Sequence, residues 1–199
     1  MRPRDENKEQ AIREKAIEVI VREGFDGLSM GKLAKAAGVS PATIYIYYKD
    51  RDDLIEKLVQ VEGRRMQEAM LKDFDPSSSF EQGLRQQWKS RAAYYLANPV
   101  SMHFLELVRN SPQFEKTHKA DSTFVKAMRD FAHNAIERKE LISLPFEVFW
   151  SVAYAPLYQL VKFHLLPKMM GPPTRGGKFV MDDHHMELAF QLVLKALKP

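Results

Sequence analysis

The stretch AAGVSP, residues 36–41, closes one helix and opens another with almost nothing between them. Gly38 suits the positive φ at a helix C-terminus, a conformation in which a side chain would be strained. Ser40 presents a hydroxyl to the free N–H groups of the helix that follows. Pro41 fits that helix's first position, where a missing N–H costs nothing. Val39 is left to tuck inward. Two short helices joined in this way form a helix-turn-helix.

The surrounding sequence extends the helical reading. No Val/Ile/Thr alternation, glycine spacing or Asn-Gly hairpin suggests a sheet. Residues 6–23 place Ile12, Ala16, Val19 and Ile20 on one stripe, and REGFDG ends that helix at Gly24. Ser29 caps a short helix, MGKLAKAA, with Leu33, Ala34 and Ala37 inward. The acidic run Asp50–Asp53 opens a longer helix to about Lys72, and FDPSSSF (74–80) is a turn. Helices are expected at 79–97, 113–139, 145–166 and 182–198, with a short piece between Pro99 and Asn110. KMMGPPTRGG (168–177) is the best loop in the chain. The expected fold class is all-α, with short helices to about residue 50 and long ones after it.

On a helix advancing about 100° per residue, taking Ile44 as zero puts Tyr48 at about 40° and Pro41 at about 60°. Ala42, Lys49, Ile46 and Thr43 fall between about 140° and 260°, on the opposite side. Tyr45 and Tyr47 stand on the flanks. Ile44 and Tyr48 therefore read as core, closing on Leu33, Val39 and Leu54. The other face is exposed and framed by two tyrosine hydroxyls. A recognition helix in a DNA major groove would look like this: small residues permit close approach, Ile46 reaches a thymine methyl, and Tyr and Lys reach phosphates. An ordinary helical hairpin with tyrosines at a surface would look the same. Charge adds a local hint. Residues 1–54 hold ten basic and ten acidic side chains, yet Lys32, Lys35, Lys49 and Arg51 face only Asp50 within 30–51.

Residues 11–59 closely resemble the DNA-binding domain of TetR/AcrR-family transcriptional regulators. The match rests on Gly24-Phe25, Ser29, Leu33-Ala34, Ala37-Gly38-Val39-Ser40, Thr43, Tyr45, Tyr47-Tyr48, Lys49 and Leu54. Met30, Tyr48 and Arg51 depart from the pattern, and Met30 weakens any polar phosphate contact at the start of the second helix. The resemblance implies a DNA-binding domain over 1–54 and an all-helical effector-binding and dimerisation domain over 55–199. The implied activity is a homodimeric regulator, typically a repressor, that leaves a pseudo-palindromic operator when a small apolar or amphipathic molecule binds. The DNA-contacting set expected is Ser29, Gly31, Ser40, Pro41, Ala42, Thr43, Tyr45, Ile46, Tyr47, Lys49 and Arg51. An architectural DNA binder without an effector is the alternative.

The long helices carry less specific signals. LAFQLVLKAL (188–197) is apolar nearly all round and needs burial on two sides, so Phe149, Leu188, Leu192 and Ala196 are candidate dimer residues. Burial in a single monomeric core is the plainer reading. Trp88, Tyr95, Phe104, Met128, Phe131, Trp150, Tyr154 and Tyr158 are candidates for an effector pocket, clustered around a helix that Pro156 should kink. Aromatic stripes are more often plain core. Residues 145–167 approach the length of a membrane span, but Glu147, Gln159, Lys162 and His164 would be costly in hydrocarbon. Adjacent residues of DDHH (182–185) point to different helix faces, and the asparate there has a capping role open to it, so no metal or other cofactor is expected. No nucleophile–base pair points to an enzyme. The absence of cysteine and of an apolar leader fits a cytoplasmic protein without a disulfide framework.

Overall fold

The computed structural model describes residues 5–111, 123–165 and 179–199. Asp5 accepts the Lys8 N–H at 3.2 Å and so starts α1 (Glu6–Glu23). A 3-10 turn at Phe25–Gly27 leads to α2 (Met30–Ala36) and α3 (Pro41–Tyr45). There follow α4 (Arg51–Leu71), α5 (Phe80–Ala97), α6 (Pro99–Arg109), α7 (Thr123–Glu137), α8 (Phe146–Leu165) and α9 (Asp183–Leu197). No strand occurs among the described residues. The loop expected at 168–177 and the start of the helix expected at 113–139 lie outside them. α8 continues through Pro156, whose ring leaves one helical hydrogen bond unmade. Among the described residues no helix is long and apolar enough to cross a membrane.

These helices form two compact units. The first holds residues 5–66 and 98–111, and the second holds 67–97, 123–165 and 179–199. The first thus runs past residue 54, because Ile55 and Leu58 of α4 and Phe104 and Val108 of α6 join its core. The stripe anticipated on α1 is there: Ile12, Ala16, Val19 and Ile20 are buried with Leu33 and Ala34 of α2 and Ile44 of α3. A buried carboxylate, Glu62, is satisfied by the Ser101 hydroxyl at 2.5 Å and by Arg65 at 3.1 Å. Phe104, expected in a pocket, is instead fully buried in this first core. Its place on the inward face of α6 decides that, not its aromatic character.

In the second unit α5 packs on α7 and α8, and α9 packs on α8. α5 approaches α7 closely because Gly83 has no side chain: a Cβ there would lie 2.3 Å from the Phe131 ring. Phe131 is therefore occupied, stacked against Phe80 with centroids 5.8 Å apart and edge-on to Phe74. Phe149, expected at a dimer surface, is buried among Phe80, Phe146 and Tyr154 of its own unit.

Candidate functional site

α3 is short, and its ends explain what it exposes. Ser40 Oγ accepts the Thr43 N–H at 3.2 Å and lies 2.9 Å from Thr43 Oγ1. Gly38 takes φ 65°, as the turn requires. After Tyr45 the backbone tightens: the Ile46 N–H donates to Thr43 O at 3.3 Å and the Tyr47 N–H to Ile44 O at 2.9 Å. Bonds of that span advance the chain about 120° per residue rather than 100°. Over two residues this carries Tyr47 from about 300° to about 340°, onto the face of Ile44.

Tyr47 is accordingly buried, and the expectation of a phosphate contact from its hydroxyl is corrected. That hydroxyl donates to Asp5 O at 3.2 Å and accepts the Asp5 N–H at 3.3 Å, fastening the end of α3 to the start of α1. Tyr48 and Ile44 are buried as read from the sequence. Tyr45 and Ile46 are exposed at 55% and 54%, unusual for residues of their size. Pro41, Ala42 and Lys49 are exposed beside them, and Thr43 is half-buried.

The turn after α3 is held from α4. Asp53 accepts the Lys49 N–H at 2.8 Å and Lys57 Nζ at 2.8 Å, and Lys57 also donates to Tyr47 O at 3.2 Å. The Lys57 hydrogen bond, foremost, keeps the Asp53 carboxyl below the usual carboxylate range. The Lys49 backbone is thus fixed while its side chain stays in solvent. Arg51 behaves otherwise. Its Nε donates to Leu28 O at 2.9 Å and its guanidinium also reaches Phe25 O, so it clamps the turn between α1 and α2. Two of its donors are thus committed to the fold, a structural role beside the phosphate contact expected of it. Ser29 Oγ caps α2 through the Lys32 N–H at 3.2 Å, Gly31 is exposed with open space around it, and Met30 is buried. The Lys32 ammonium pairs with Glu23, whose carboxyl is lowered by that bond first and by Arg22 second.

In the second unit Leu188 and Leu192 of α9 are 55% and 63% exposed, and Val148 and Ala155 of α8 and Ala196 of α9 are exposed as well. Five of the eight candidate pocket residues, Tyr95, Met128, Trp150, Tyr154 and Tyr158, meet in its interior. Trp88 does not line that group by any ring contact: its indole N–H donates to Ala153 O at 2.8 Å and its ring meets Phe190. At the centre is a residue the sequence reading passed over, Arg91. Its guanidinium carbon lies 4.0 Å from the Tyr154 ring centroid, 5.0 Å from Trp150, 5.4 Å from Phe124 and 5.8 Å from Tyr158. The signal was available, since Leu84, Gln87, Trp88, Arg91 and Tyr95 repeat at helical spacing on α5 and are all buried. Among the described residues no group of three or more His, Asp or Glu gathers to hold a metal.

Helix-turn-helix geometry with an outward α3, followed by a second all-helical unit, defines the class. The model of the tetR family of bacterial regulatory proteins matches residues 12–58. Over 97 residues the chain is 35% identical to an HTH-type transcriptional regulator of Haemophilus influenzae, covering 49% of this chain and 52% of that protein. Over 97 residues it is 31% identical to the fatty acid metabolism regulator protein of Bacillus subtilis, covering 49% of this chain and 44% of that protein. The matched stretch thus spans about half the length of these relatives. A solved TetR family transcription regulator from Marinobacter aquaeolei is 28% identical, with a TM-score of 0.75 over 99% of this chain and 98% of that one. Another, from Haemophilus influenzae, shares the fold at a TM-score of 0.77, with 24% identity over 98% of each chain. Residues 12–58 thus match the family of bacterial tetR regulatory proteins, and the chain as a whole shares the fold of solved TetR family transcription regulators.

Proposed function

We propose that this protein is a DNA-binding transcription regulator that works as a homodimer and is released from its operator by a small molecule. The observation that carries the reading is the pair Tyr45 and Ile46, solvent-exposed on a helix end whose backbone is fixed from α1 and α4. Ordinary surfaces scatter such side chains, whereas here they stand next to exposed Ala42 and Lys49 and half-buried Thr43 along one short segment. Ala42, Thr43 and Ile46 enter the major groove, Tyr45 and Lys49 reach phosphates, and the Ser40 and Thr43 hydroxyls lie near the helix start. Ser29, Gly31 and Pro41 line the approach. Arg51 and Tyr47 contribute by holding the element in place.

The exposed apolar strip of Leu188, Leu192, Ala196 and Val148 supports pairing of two copies through α8 and α9, since a strip of this kind on a helix is seldom left to water. Two α3 helices on one side of the duplex then read a pseudo-palindrome. The aromatic interior of the second unit supports a role in sensing a ligand, which acts through its differential affinity for the two states of the dimer. The name of the Bacillus subtilis relative is compatible with an amphipathic effector.

Selection from a randomised duplex pool should enrich a two-fold symmetric sequence. Lys49→Ala should then weaken all duplexes alike and reduce the salt slope by about 1. Ile46→Ala should relax discrimination at one position by about 1 kcal/mol. A pool that enriches nothing, with a protein that sediments as a monomer at micromolar concentration, would sink the reading.

A further inference from the structure

Arg91 is 1% exposed, and its hydrogen-bond partners are all neutral: the Tyr158 hydroxyl, Met70 Sδ at 3.3 Å and Met128 Sδ at 3.6 Å. Among the described residues no aspartate or glutamate pairs with it. Tyr154 is no hidden counter-ion, because burial pushes its hydroxyl up to about 12 and keeps it neutral. A guanidinium does not shed its proton in a protein, so the charge stays. Ring faces offset part of the cost of burying it, and a buried cation without a counter-ion remains poorly compensated.

Two polar atoms beside the charge are also unmatched. Arg91 Nε is buried with no acceptor, and Gln87 Oε1 is buried with no donor, although Gln87 Nε2 donates to Met70 O at 2.7 Å. Residues 87 and 91 are one turn apart, so both orphans lie on the same strip of α5. Native interiors leave few such atoms, and an orphaned one asks for an explanation. Trp150 and Tyr158 are only half-buried, which brings the edge of the aromatic cage to the surface of the unit.

We propose that Arg91 recognises an anionic effector: a monocarboxylic acid whose carboxylate pairs with the guanidinium and whose apolar body lies against Trp150, Tyr154 and Tyr158. The inference rests on the second unit being a ligand-sensing domain and names the chemistry that domain takes. A carboxylate supplies the acceptor that Nε–H lacks and the negative charge that the cage lacks. It has no donor for Gln87 Oε1, so acids with a hydroxyl or N–H near the carboxylate fit better than simple ones. Neutral alcohols leave the charge uncompensated, and amines add to it.

The test uses the full-length protein without DNA. Hexanoate, decanoate, benzoate and salicylate, and the alcohols hexanol, decanol and benzyl alcohol, are titrated at fixed ionic strength. Thermal melting and the fluorescence of Trp88 and Trp150 are followed. At least one acid should raise the melting temperature and change the fluorescence more than its alcohol, with salicylate ahead of benzoate. Arg91→Gln should weaken that acid about tenfold or more while leaving the alcohols unchanged, and Arg91→Lys should restore part of the preference for acids. If no acid outperforms its alcohol, or if Arg91→Gln, confirmed folded by circular dichroism, binds the acid as the parent does, the proposal is overturned. A protein that binds these acids but selects no DNA refutes the regulator reading alone. One that selects DNA but shows no preference for acids refutes this inference alone.

Discussion

Arg51 and Arg91 each serve the interior of one unit, and they are satisfied in opposite ways. Arg51 points its Nε at Leu28 O, reaches Phe25 O as well, and has Asp52 at 3.6 Å. Fixed backbone oxygens take its Nε and one terminal nitrogen, which ties the side chain to the turn between α1 and α2. Arg91 is more deeply buried, meets aromatic faces and sulfur, and keeps one N–H without an acceptor. Exposure alone is therefore a poor guide to which cation binds something. The half-exposed arginine of the basic stretch is a structural clamp, and the hidden one retains capacity. What decides is the kind of partner: Arg51 has backbone oxygens and a carboxylate, whereas Arg91 has a hydroxyl, two sulfurs and one N–H with no acceptor.

The largest effect expected is at the closed side of this comparison. Tyr48→Ala removes a ring that is 1% exposed and packed with Ile44 and Tyr47, and should cost about 3–5 kcal/mol in urea unfolding of the first unit. Tyr45→Ala, on the exposed edge, should stay within about 0.5 kcal/mol. Equal losses at the two positions would mean that the inner and outer faces of α3 are wrongly assigned.

Arg51→Ala comes next. Loss of its charge-assisted bonds to the carbonyls of Phe25 and Leu28 should destabilise the first unit by about 1.5–3 kcal/mol. The salt dependence of DNA binding should not change, in contrast to Lys49→Ala. A salt slope reduced by about 1 with no loss of stability would make Arg51 a phosphate ligand and break the contrast with Arg91.

Local chemistry was legible where a residue's role is set by its chain neighbours. Ser29 and Ser40 cap the helices that follow them, Gly38 turns with positive φ, and Ile44 and Tyr48 are inward because three or four residues fix a helical face. Tyr47 departs from a constant helical step because the bonds beyond Tyr45 span three residues and wind a tighter spiral. Its partner, Asp5, lies forty-two residues away, and no periodicity reveals it. The same holds for Arg51, whose carbonyl partners are 23 and 26 residues distant. Phe104 and Phe149 show a further limit. An aromatic on an amphipathic helix is readable as buried, but which core takes it depends on the packing of whole helices. Arg91 shares its face of α5 with Leu84, Trp88 and Tyr95, so helical spacing places it inward even though its charge argues for solvent.

A third arginine, on the same helix as Arg91, supplies the smallest and sharpest prediction. Arg85 is paired with Glu187 of α9, with one contact at 3.1 Å, and lies over the Phe190 ring at 4.1 Å. Glu187 is held down to about 2, from 4.5, by the Arg85 bond first and by Gln191 second. A carboxyl with a depressed folded-state value stabilises the fold above its unfolded value, and that contribution fades as pH falls from about 4.5 towards 2. Both partners remain substantially exposed, so the pair is worth only about 0.2–1 kcal/mol and should weaken in salt. Glu187→Gln should therefore melt slightly below the parent at neutral pH and converge with it near pH 2, which thermal melts across that range would read. Arg91 has no acid of its own among the described residues, so Arg91→Gln should leave the slope between pH 4.5 and 2 as it is in the parent. If Arg91→Gln flattened that slope as Glu187→Gln does, a carboxylate of this chain would already be serving Arg91, and the two arginines of α5 would no longer differ in kind.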